Sequence, residues 1–175
     1  MSKRLSYVLR HRPESVGLTL DDAGWVDVDA LLSALAAHGL TLTRADLEDV
    51  VATNDKRRFA FDGSGARIRA SQGHSVGVDL GYAAQTPPAA LFHGTVERFV
   101  PVILAEGLRP GRRHAVHLSP DVATARTVGA RRGTPVVLRV DAAAMAADGH
   151  PFTRSANGVW LTDAVPPTFL SVAER

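Results

Sequence analysis

Four short cationic runs stand out in this chain of 175 residues: Arg10-His11-Arg12, Lys56-Arg57-Arg58, Arg112-Arg113-His114 and Arg131-Arg132. Each falls at the end of an expected helix, strand or turn, where solvated charge is ordinary and where Lys, Arg or His complements the negative end of a helix. Together they offer a more specific chemistry. A guanidinium forks onto a phosphate with parallel N–H donors, and an imidazole changes charge near neutral pH, so Arg beside His suits binding a phosphate and moving a proton at it. Arg10 and His11 are adjacent on a helix, about 100° apart around its axis, so both can border one site while Arg12 points elsewhere. Two further histidines, His93 in "FHGT" and His117 in "HAVHLS", end strand-like runs beside small or hydroxylated residues. His-Gly-Thr supplies a ring donor, a backbone open to close approach and a hydroxyl. The same three residues also suit a plain strand-to-turn junction. "QGHS", residues 72–75, adds an amide, a glycine and another imidazole.

Several other chemistries lack their residues. The chain has no cysteine, which removes disulfides, thiolate metal sites and thiol nucleophiles. No G-x-G-x-x-G follows a strand-like run, and no Walker loop or His-x-x-x-His spacing is present, so neither a dinucleotide fingerprint nor a metal centre is expected. Twenty Lys and Arg against eighteen Asp and Glu leave a net charge of +2, so the arginines count by position and not by bulk. The first residues carry no signal-peptide core, and apolar stretches such as "ALLSALAA" are far too short to span a bilayer. A cytoplasmic protein is the expectation.

The elements that must position these residues read as an α+β chain in two lobes. Residues 1–72 are rich in helix signals. Leu5, Val8 and Leu9 form an apolar stripe that stops before Pro13, because the residue preceding a proline is disfavoured in a helix. A short strand at Trp25 and Val26 leads to a helix capped by Asp27 or Asp29 and closed at Gly39. Thr43 and Asp46 have the spacing of a capping box for the next helix, whose inner face is Leu47, Val50 and Val51. "RFAF" and "ARIRA" flank Asp62-Gly63-Ser64-Gly65 as a hairpin. Helices followed by a hairpin predict a winged-helix lobe. Residues 73–90, broken by glycine and proline, read as a connector, and residues 91–175 as a β-rich lobe with helices over 96–106 and 121–128.

"LSYVLRHRPE", "GWVDVDALL", "VVATNDKRRFAF", "IRASQGHSVGV", "LFHGT", "GRRHAVHLSPDVATARTVGARRGTPVVLRVD" and "NGVWLT" occur in this order over nearly the whole chain. The sequence resembles the KptA family of NAD-dependent RNA 2′-phosphotransferases, which act on internal RNA 2′-phosphates in settings such as tRNA splicing and RNA repair. The resemblance implies a winged-helix lobe followed by an ADP-ribosyltransferase-like lobe, with the active site between them. It places the family's catalytic residues on Arg10, His11, Arg58 and Arg113, and its NAD-holding segments on His93, Gly94, Thr95, His117, Leu118 and Ser119. Gln72, His74 and Arg131 are expected to touch substrate; Arg132 is expected to face solvent.

The reaction so implied has two steps. The RNA 2′-phosphate attacks the nicotinamide-bearing ribose carbon of NAD and expels nicotinamide; the ribose 2″-hydroxyl then attacks the phosphate, releasing an RNA 2′-hydroxyl and ADP-ribose 1″,2″-cyclic phosphate. A phosphate dianion needs no base to act as a nucleophile, but it needs cations to hold it in line. Two other readings remain open at this point. One is an ADP-ribosyltransferase that stops after the first step on nucleic-acid phosphate ends or another acceptor, and the other is a nonenzymatic winged-helix nucleic-acid-binding module.

Overall fold

In the computed structural model, which describes residues 1–54 and 56–174, the chain divides into two compact units, Met1–Gly81 and Tyr82–Arg175. The boundary falls inside the expected connector, so residues 73–81 belong with the first unit. Six α-helices and small antiparallel sheets make up the described residues, a mixed α/β composition.

In the first unit, helix α1 (Ser2–Arg10) buries Leu5, Val8 and Leu9. Strand β1 (Val26–Asp27) runs directly into helix α2 (Val28–Ala37), whose first turn is capped by the Asp27 carboxylate accepting from Ala30 N–H. Helix α3 (Arg44–Ala52) starts with the capping box expected of Thr43 and Asp46, both reciprocal bonds being made. Of its inner face Leu47 is fully buried, while Val50 and Val51 pack partly buried against the same core. Strands β2 (Phe59–Phe61) and β3 (Arg67–Ala70) form the hairpin, and β3 is central in the sheet β1-β3-β2. Alternation puts Ile68 and Ala70 of β3 into the core and leaves Arg69 on the other face. There the Arg69 guanidinium lies 4.4 Å from the centre of the Trp25 ring and donates to the carbonyls of Ala23 and Leu80. That bond, with Asp79 N–H to Asp22 C=O at 2.7 Å, ties the chain after β3 back onto the unit.

The second unit is built on strand β4 (Ala90–Val96), paired over its whole length with β6 (Pro135–Asp141), which also pairs with β9 (Leu170–Glu174). A smaller sheet holds β5 (Val116–Leu118), β8 (Trp160–Thr162) and the two-residue β7 (Thr153–Arg154). An antiparallel bridge between Phe92 and Ser119 joins β4 to the end of β5. The single helix expected over 96–106 is a 3-10 turn, Glu97–Phe99, followed by α4 (Val100–Glu106) with Pro101 in its first turn. Proline there is favourable, because its missing N–H is one that a helix start leaves unbonded anyway. Helix α5 (Val122–Gly129) is capped by Asp121 and continues as a 3-10 turn, Ala130–Arg132; α6 is Ala142–Ala147.

Candidate active site

Two clusters of candidate residues form, one in each unit. In the first, Arg10 is the last residue of α1, and His11 still donates its N–H to Tyr7 C=O at 3.0 Å, so the helical path carries both side chains. The chain after β3 turns over this helix end. Ser75 N–H donates to Arg10 C=O at 2.9 Å, and the Ser75 hydroxyl lies 2.9 Å from His11 Nδ1. One backbone bond therefore fixes the residue whose hydroxyl orients the imidazole. Arg10 Nη2 donates to the Arg58 carbonyl at 3.4 Å, an acceptor shared with Ser71 N–H at 2.8 Å. Gly73 has φ +85°, and a Cβ there would sit 3.7 Å from Arg10 Nη1, so the glycine both makes the turn and lies under the guanidinium.

Arg58 enters from the turn before β2. Its Nη1 donates to Asn54 Oδ1 at 3.2 Å. Arg57, immediately before it, has φ +41°, a left-handed conformation uncommon for a residue with a side chain. It is held there by its own N–H to Asn54 C=O (2.8 Å) and by the buried Ser71 hydroxyl donating to its carbonyl (2.9 Å). Of the "QGHS" residues, His74 is only 2% exposed and packs beside Gly24, where a Cβ would meet its Nε2 at 3.5 Å. Gln72 keeps its Oε1 buried without a hydrogen-bond partner. Arg10, His11, Arg58, Gln72 and His74 thus all lie in one unit, and sequence reading missed two residues that arrange them: Asn54 and Ser75.

In the second unit, His93 on β4 and His117 on β5 are neighbours. His93 Nδ1 lies 3.1 Å from the His117 carbonyl, and His117 Nδ1 lies 2.9 Å from the Ala115 carbonyl. A carbonyl can only accept, so both Nδ1 atoms carry the proton. Burial lowers the His93 pKa below its ordinary value; the bond to His117 opposes this, and the charges of Arg132 and Arg113 lower it further. Neutral His93 therefore presents Nε2 as an acceptor. Arg113 is itself lowered, first by burial and then by Arg132 and Arg131. These three arginines gather around one place, and Arg132, although solvent-exposed as expected, is part of the group.

The other residues of the two motifs take different roles. Gly94 faces helix α5: a Cβ would run into the Ala125 carbonyl oxygen and come within 2.7 Å of Gly129 N. Its lack of a side chain is used up in helix–strand contact. Leu118 is fully buried in the apolar core, Thr95 is 6% exposed, and Ser119 exchanges backbone bonds with Phe92 at 2.8 and 2.9 Å. No group of three or more metal-ligating side chains occurs among the described residues, nor any helix long and apolar enough to cross a membrane.

Arg10 and His11 are held at a helix end, and a second group of histidine and arginine stands in the other unit; guanidinium and imidazole groups of this kind suit phosphorylated ligands. The chain belongs to the RNA 2′-phosphotransferase, Tpt1 / KptA family, whose sequence pattern matches residues 1–164. It is 63% identical over 170 residues to a protein of Streptomyces coelicolor named "Probable RNA 2′-phosphotransferase", covering 97% of this chain and 92% of that one. Proteins with the same name from Hahella chejuensis (54% over 173 residues, 99% and 93% covered) and Pseudomonas aeruginosa (54% over 173 residues, 98% and 95% covered) are similar throughout.

Proposed function

We propose that this protein removes an internal 2′-phosphate from RNA in the two NAD-dependent steps set out above, in the cytoplasm, with a winged-helix first unit that holds the phosphate and an ADP-ribosyltransferase-like second unit that holds NAD. The observation that carries the reading is the pinned helix end. Arg10 and His11 are aimed by bonds to Arg58 C=O and to Ser75, and groups held before the substrate arrives need no reorganisation during reaction.

NAD fits the donor set of the second unit. Its pyrophosphate would be held by Arg131 and Arg132, whose repulsion of Arg113 an anion relieves. His93 Nε2 would accept from a ribose hydroxyl, with His117, Thr95 and Ser119 framing the same strand ends and Gly94 and Leu118 contributing through backbone and packing. When bound, NAD supplies a ribosyl carbon whose nicotinamide can leave. On the protein's side, Arg10, Arg58 and Arg113 hold the 2′-phosphate and carry the charge that grows on its oxygens. His11 handles the proton as the sugar hydroxyl replaces the RNA oxygen on phosphorus. Ser75 keeps the ring in place, and buried His74 anchors the loop that carries Ser75.

The test is to incubate the protein with a short RNA bearing one internal 2′-phosphate, with and without NAD, and to identify the products by mass spectrometry. NAD-dependent appearance of an RNA 2′-hydroxyl and ADP-ribose cyclic phosphate is the expected outcome. Accumulation of ADP-ribosylated RNA alone would replace this reading with the one-step transferase, and salt-sensitive binding without turnover would replace it with a nonenzymatic binding module.

A further inference from the structure

Tyr7 is 46% exposed, and its place on α1 is unusual. With about 100° per residue, positions three and four away in either direction lie within about 60° of it around the helix. Those positions are Lys3, Arg4, Arg10 and His11. The aromatic ring therefore stands at the centre of a face made wholly of cations and an imidazole, while Leu5, Val8 and Leu9 occupy the buried side. A solvated helix face ordinarily mixes signs through i,i+4 pairs, but residues 2–10 contain no acid, and the first acid of the chain, Glu14, is paired with Arg12 at 3.1 Å. The other exposed aromatic ring, Phe99, is covered by the Arg98 guanidinium at 4.8 Å.

An exposed ring within a cationic stripe is the arrangement that holds single-stranded nucleic acid, with bases stacking on the ring and phosphates lying along the charges. We propose that Tyr7 is a stacking subsite for the nucleobase next to the 2′-phosphate, with Lys3 and Arg4 holding the phosphodiesters beyond it. Arg10 and His11 sit one helical turn on, about 5–6 Å between Cβ atoms, within reach of an adjacent nucleotide. The inference rests on the reading that the Arg10 and His11 end of the helix takes the RNA phosphate. It adds a contact that selects unstacked, single-stranded RNA around that phosphate.

The experiment is fluorescence anisotropy, without NAD, of a labelled single-stranded RNA carrying one internal 2′-phosphate. Wild type, Tyr7→Phe and Tyr7→Ala are compared on this RNA and on two versions in which the base on one or the other side of the modified nucleotide is removed. Tyr7→Ala is expected to weaken binding of the intact RNA about 5- to 150-fold, with Tyr7→Phe close to wild type. One of the two abasic RNAs should bind wild type more weakly by a similar factor and be indifferent to Tyr7→Ala. Unchanged binding by Tyr7→Ala, an equal loss on intact and both abasic RNAs, or a loss in Tyr7→Phe as large as in Tyr7→Ala would each overturn the subsite. The abasic comparison uses unaltered protein, so a folding defect in a variant cannot mimic the result. Turnover of the same RNA by wild type with NAD separates the two layers: failure there sinks the proposed function, whereas turnover with unchanged Tyr7→Ala binding sinks only the stacking.

Discussion

The two clusters hold their arginines in opposite ways. In the first unit every cation of the site has an acceptor beside it: Arg10 reaches the Arg58 carbonyl, Arg58 reaches Asn54 Oδ1, and His11 shares a hydrogen with Ser75. In the second, Arg113 is crowded by Arg132 and Arg131, and the charges of Arg132 and Arg113 help to keep His93 neutral. The first arrangement fixes direction and is suited to a reacting phosphate. The second gathers like charge around a neutral acceptor and is suited to an anion with hydroxyls. Both place histidine beside arginine, and only the partners of the imidazole distinguish a proton handler from a binding group.

Changes in each unit should therefore fail differently. The largest loss is expected for Arg58→Lys, since an ammonium cannot fork onto phosphate. Single-turnover kinetics should show a drop of about 100-fold or more, the scale seen when an aimed donor is lost from a transition state; near-normal turnover would remove Arg58 from the reaction. Gly94→Ala should act on folding instead, because the new methyl meets the backbone of α5. Overpacking of this kind costs about 1–3 kcal/mol, occasionally more, read as a lower unfolding midpoint in urea. Ser75→Ala should reduce turnover about tenfold, the scale of one net hydrogen bond, and displace the pH profile of the second step, with Ser75→Thr restoring both. A profile that kept its shape would make Ser75 a packing residue only.

The smallest effect is a pH dependence of stability. Folding lowers the His93 pKa below its ordinary 6.5, so below about that pH the unfolded chain binds more protons than the folded one, and stability falls as pH falls. Thermal melts from pH 7 to pH 5 should show this decline, and His93→Gln should make it shallower. An identical slope in the variant would mean that His93 is charged in the folded protein.

What could be read before the structure was local. The caps at Asp27 and at Thr43 with Asp46 each bond within three residues, so residue type and spacing suffice to find them. The hairpin around residues 62–65 is local in the same sense. His11 and Ser75 are 64 residues apart and Arg10 and Arg58 are 48 apart, and no short-range pattern signals either pair. Gly94 shows the ambiguity of a glycine next to chemical residues, because bare backbone serves a ligand or a helix equally well. The strand β7 is two residues long, too short to leave an alternating pattern. Arg132 looked solvated because exposure and participation in a charged site are compatible.

The central claim is that His11 moves the proton of the second step while the first step needs only aimed cations and NAD. The most direct measurement is mass spectrometry of the RNA after a single turnover by His11→Ala with NAD and an internally 2′-phosphorylated RNA. Accumulation of ADP-ribosylated RNA, with nicotinamide released and little cyclic phosphate formed, is the predicted result. Unmodified starting RNA, or product formed as fast as by wild type, would contradict it.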